Sequence, residues 1–150
     1  MKSDIENLDK RRMRYLEWHL IGSVLFLILS LTRFFFRLEG LNSQPIGKAV
    51  FVGLLLSLLI LAVSTIGSAL LGRAIRDTGT LSEALNDELI QALEIQSWKA
   101  AYLGSIAATI FFAAAWFFYP ISDPVLVVLT SVIAGAGAYQ ATFYFKYRSL

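Results

Sequence analysis

The chain has no cysteine, one histidine and three prolines, and only 16% of its 150 residues are charged. Without cysteine there is no disulfide, no thiolate nucleophile and no thiolate-ligated metal. The lone His19 has no acidic or thiol neighbour at ligand spacing, so it does not make a metal site. Phosphate-cradling Gly-rich loops, nucleophile elbows, zinc-protease helices and dinucleotide fingerprints are missing. No stretch gathers an acid, a base and a nucleophile. The expectation is a protein that is not an enzyme and needs no cofactor, with lipid modification the one catalytic class left open.

Charge of one sign is no guide to a polyanionic partner. The net charge of +2 and the pI near 9.0 are basic. The basic residues flank apolar runs and form no stripe of their own, which excludes a nucleic-acid face.

Apolar surface is what the chain has in excess: 57% hydrophobic residues and a mean hydropathy of +0.64. That lies far to the apolar side of soluble proteins. One domain of this size cannot bury so much, whereas a bilayer can cover it. A helix crosses the hydrocarbon core with about 20 apolar residues, each advancing roughly 1.5 Å. Residues 49–72, 100–122 and 124–145 meet that demand without a charge, and residues 20–38 meet it around Arg33. An arginine near a span end snorkels to the surface at little cost. The expected fold is all-α, a polytopic four-transmembrane-helix bundle with spans at about 18–38, 48–72, 99–119 and 124–145. The basic N-terminus followed by an apolar run is reminiscent of a signal peptide. No small-x-small cleavage site follows, so it is read as an uncleaved first span.

Orientation follows from lysine and arginine. Of the 13 such residues, Arg33, Arg37 and Lys48 fall on one side. The others (Lys2, Lys10, Arg11, Arg12, Arg14, Arg73, Arg76, Lys99, Lys146 and Arg148) fall with the termini. The positive-inside rule then places both termini in the cytoplasm of a cell (inner or plasma) membrane. Aromatic residues mark the borders, with Trp18 and Trp98 at the inner edge and residues 34–36 and 116–119 at the outer.

Residues 80–97 are neither span nor short loop. Asp77 to Thr80 reads as a turn, and Thr80 with Glu83 fits a capping box. Leu81, Leu85, Leu89 and Leu93 share one helical face, while Glu83, Asp87 and Glu94 share another. This predicts an amphipathic cytoplasmic helix between spans 2 and 3. Either it breaks from span 3 near residues 97–98 and lies low, or the second helix projects beyond residue 72 to meet it. Its acidic face is a poor match for anionic lipid, so the apolar stripe is expected to pack on protein. A two-plus-two repeat is hinted at by Glu6–Asp9 ahead of span 1 and residues 83–86 ahead of span 3.

The candidate sites follow. Leu81, Leu85, Asp87, Glu88, Leu89, Leu93 and Glu94, with Arg73 and Arg76, are candidates for partner contact. Arg33 and Arg37, one turn apart, are candidates for lipid headgroups or another anion. Ser64, Ser68 and Gly72, then Ser131, Gly135 and Gly137, recur at close helical spacing. Small residues let helices approach, so these serve packing or line a pathway between subunits. Gln140 is the most polar side chain in a charge-free run, suited to an interhelical hydrogen bond or a substrate path. No charge interrupts the middle of a span, which argues against a proton relay. The expected function is a non-catalytic accessory or regulatory membrane subunit. Its partners would be the lipid bilayer and either its own copies or another membrane protein, with no nucleic acid. The alternative is a homo-oligomeric channel or small transporter.

Overall fold

The structure, a computed structural model, describes residues 2–36, 45–77, 88–118 and 123–149. It is all-α, with α1 (Lys2–Phe35), α2 (Pro45–Asp77), α3 (Glu88–Trp116) and α4 (Pro124–Arg148). All four are long and apolar enough to cross a membrane. Leucine, isoleucine and alanine sustain the helices, and no proline falls inside one. Pro45 and Pro124 instead open α2 and α4, where the missing N–H has no intrahelical partner to lose.

The helices outrun the apolar segments. The 34 residues of α1 reach about 51 Å, against roughly 30 Å of hydrocarbon. The N-terminal stretch, given only as a flank by hydropathy, is thus helix continuous with the first apolar run. α2 continues past residue 72 to Asp77, and α3 passes through Ser97 and Trp98 without interruption. Ser97 is buried and donates to the Leu93 carbonyl at 2.8 Å, within the helix. Of the amphipathic helix expected over 80–97, residues 88–97 are the leading part of α3, and residues 80–87 lie outside the described residues. The second helix does project, which was the other way to close the connection.

α1 packs on α2 and α3 packs on α4, giving two antiparallel hairpins joined by α1 against α4. The middle and distal core gathers Phe26, Val50, Leu54, Leu61, Leu126 and Ile133. A second core at the end bearing the termini gathers Leu16, Leu93, Phe143 and Tyr144, with Met13, Tyr139 and Tyr147 against it.

Glycine sets the closest approaches. A Cβ on Gly135 would lie 2.9 Å from the backbone carbonyl of Ala101 and meet Ser105 Oγ, so α3 and α4 touch through backbone. A Cβ on Gly137 would lie 3.1 Å from Ser23 Cβ of α1. A carbonyl in a helix cannot swing aside as a side chain can. Gly135→Ala should therefore destabilise by about 1–3 kcal/mol through overpacking, and Gly137→Ala by less. Thermal unfolding in detergent checks this; equal midpoints for the two variants would contradict the backbone contact.

Candidate functional site

Hydroxyls inside the helices are mostly spent locally. Those of Ser57, Ser64, Thr65, Ser68, Ser97, Thr109 and Thr130 donate to carbonyls three or four residues earlier in their own helices. Such groups are satisfied in an apolar setting without a ligand. The side chains that reach between helices are fewer, and most lie on the seam of α1 and α4.

At the distal end Asp123 does two jobs. Its Oδ1 accepts from the Leu126 N–H at 3.0 Å and caps α4, while Oδ2 meets Arg33 Nη2 of α1 at 3.3 Å. At the end bearing the termini, the Tyr144 hydroxyl donates to Glu17 Oε1 at 2.9 Å and accepts from Arg148 Nη1 at 3.2 Å. Arg12 lies over the Phe143 ring, 5.0 Å from its centroid. Between these clasps Ser23 faces Gly137.

His19 links α1 to α2, its Nδ1 lying 3.2 Å from Ser64 Oγ and 3.4 Å from Thr65 Oγ1. Both hydroxyls give their single proton to the Leu61 carbonyl. With both hydroxyls turned to that carbonyl, a neutral His19 ring donates from Nδ1 and carries its lone pair on Nε2. The ring also lines a groove of about 590 Å³ bounded by α1, α3 and α4. Trp98, Tyr102, Ser105, Tyr139 and Gln140 are among its other walls, and the Trp98 and Tyr139 rings lie 5.2 Å apart. Gln140 Oε1 is buried with no hydrogen-bond partner among the described residues, as are Ser23 Oγ and Ser30 Oγ. The groove thus offers aromatic faces and the edge of the His19 ring, with the Gln140 side chain in its wall and that oxygen enclosed. It holds no carboxylate or thiol, and no group of three metal-ligating side chains occurs among the described residues.

The candidate residues divide as follows. Gly135 and Gly137 are helix contacts within the chain, Ser64 is buried against His19, and Ser131 is half-buried in α4. Ser68 is exposed and Gly72 lies in α2. Gln140 does not bridge helices through Oε1, the role its polarity suggested. Arg33, expected at a headgroup or an anion, has a carboxylate of its own chain because Asp123 lies opposite it. Leu93, expected to meet a partner, is 6% exposed in the core of its own chain, since α3 continues unbroken past α1 and α4. Arg73 and Glu94 are exposed, while Arg76, Glu88 and Leu89 occupy helix ends. Arg37, Leu81, Leu85 and Asp87 lie outside the described residues. Asp123 and Tyr144 went unread as site residues. Asp123 was detectable, because an aspartate directly before a proline that opens an apolar run is a helix-start signature.

No family model matches the chain, and neither does any curated protein or solved structure.

The double role of Asp123 separates two variants. Asp123→Asn keeps an oxygen for the Leu126 N–H and loses the charge facing Arg33, whereas Asp123→Ala loses both. Asp123→Ala should be the less stable by about 1 kcal/mol, the worth of a cap. Equal unfolding midpoints would remove the cap from the account.

Proposed function

We propose that this chain is a multi-pass membrane protein with cytoplasmic termini, a non-catalytic subunit that works by assembling with other membrane helices. Four apolar helices with both chain ends together, and basic residues concentrated at that end, support the topology. The observation that carries the assembly reading is the groove beside α3, with its unpartnered Gln140 oxygen. Hydrocarbon cannot satisfy such an acceptor, and leaving it bare costs several kcal/mol. The Gln140 side chain lines the groove, and with its amide turned outward it would meet a donor from another transmembrane helix.

The burial of α3 supports the same reading. Only 6% of its apolar window is covered by the rest of the chain, against 22–28% for the other three helices. Trp98, Tyr102 and Leu103 present a mixed aromatic and aliphatic face beside the groove. The projecting ends of α1, α2 and α3 add a contact surface on the cytoplasmic side. A conducting path is less well supported, because the hydroxyls of Ser64 and Ser68, two residues that could line one, are committed to their own helix carbonyls.

Two measurements test this. The absence of native cysteine makes any introduced cysteine a unique reporter. Asn7→Cys should resist a membrane-impermeant maleimide in intact cells and Phe118→Cys should react; the reverse pattern overturns the orientation. Native mass spectrometry of the gently extracted protein should show more than one copy, or a second protein at fixed stoichiometry. Gln140→Leu should dissolve that complex without lowering the unfolding midpoint of the monomer. A wild-type protein that is monomeric apart from lipid, or a complex indifferent to Gln140→Leu, overturns assembly through the groove.

A further inference from the structure

The basic residues at the end bearing the termini are not equivalent. Arg12 lies over Phe143 and Tyr147, Arg148 donates to Tyr144, and Lys146 donates to Gln96. Arg11 and Arg14 are exposed and make no ion pair or hydrogen bond among the described residues. Both line a groove of about 460 Å³ between α1 and α2. The groove continues past Tyr15 and Trp18 onto Leu59, Ile60 and Val63 of α2. Tyr15 is seated directly on Gly67, where any Cβ would strike its ring. Trp18 is 50% exposed.

From Arg11 to Trp18 the groove follows α1 for about 10 Å, passing from guanidinium groups to an aliphatic floor. Its occupant must carry negative charge at one end and hydrocarbon at the other. A soluble anion leaves the floor uncovered, and an acidic peptide would bury its polar backbone there. We infer that the α1–α2 groove binds an anionic glycerophospholipid, its phosphate between Arg11 and Arg14 and an acyl chain along Leu59, Ile60 and Val63. The inference rests on the membrane topology proposed above, which puts this groove in the cytoplasmic leaflet, where anionic lipid carries the surface charge. Arginine suits the role because its planar fork matches phosphate oxygens, and Trp18 stands at the depth where amphipathic rings settle.

An alkaline carbonate wash of membranes comes first. Release of the protein overturns the topology, while retention leaves the lipid site to be judged alone. The retained protein, purified in detergent, is then titrated with dioleoyl phosphatidylglycerol or dioleoyl phosphatidylcholine, and bound lipid is counted by native mass spectrometry. Wild type should prefer phosphatidylglycerol. Arg11→Ala with Arg14→Ala should weaken that lipid by about 30-fold and leave phosphatidylcholine unchanged. Arg73→Ala with Lys99→Ala removes the same charge away from the groove and should change neither. Leu59→Trp fills the floor, keeps both arginines, and should also abolish the preference. No preference in wild type overturns the site, as does an equal loss in the Arg73/Lys99 pair. A preference that survives Leu59→Trp reduces the effect to diffuse attraction and overturns the groove as its seat. Unchanged unfolding midpoints show that the variants are folded.

Discussion

Everything in this bundle depends on α1 lying against α4. Each hairpin has its own internal packing, but this seam is what makes two hairpins into one body. It is held differently at three depths. Charge closes the distal end, where Arg33 meets Asp123, and a near-contact of small residues closes the middle, where Ser23 meets Gly137. Tyr144 between Glu17 and Arg148, with Arg12 over Phe143, closes the other end. The division is physically reasonable. Polar clasps are affordable near water, and the apolar middle is better served by close backbone approach than by a buried charge pair.

The seam also determines what is left uncovered. With α1 and α4 at the centre, α2 and α3 occupy the flanks and do not pack extensively on one another among the described residues. One consequence is the groove beside α3, where His19, Ser105, Tyr139 and Gln140 converge. Another is the groove between α1 and α2, which has arginines at one end and aliphatic side chains at the other. Both are products of packing order. The same four helices arranged as a closed square would cover the faces that these grooves expose.

Local chemistry supports each level of this arrangement. Prolines start α2 and α4, Asp123 caps α4, and hydroxyls return to their own helices. Glycines then let neighbours approach at positions where a methyl group would meet backbone or a ring, as Gly135 does against α3 and Gly67 beneath Tyr15. Gln140 is an exception, as Ser23 and Ser30 are: its buried side-chain oxygen has no partner among the described residues. That conflict between local chemistry and surroundings is why assembly is placed at its groove.

The sequence by itself determined four apolar runs long enough to cross a membrane and the asymmetry of charge between their ends. Those properties are sums along the chain: runs of apolar side chains, breaks at proline, and lysine or arginine at the flanks. It also marked Gly135 and Gly137 as contact points, because small residues at helical spacing have few other uses. Only the tertiary structure decided partners. That Arg33 faces Asp123, that Leu93 is buried with Leu16 and Phe143, and that Arg11 and Arg14 flank a groove while Arg12 does not are facts about helix order and rotation. A periodicity shows which residues share a face of one helix. It carries no information on which other helix that face meets, and so Leu93 read as a surface for partners until α3 was found continuous and packed beside the chain's own ends.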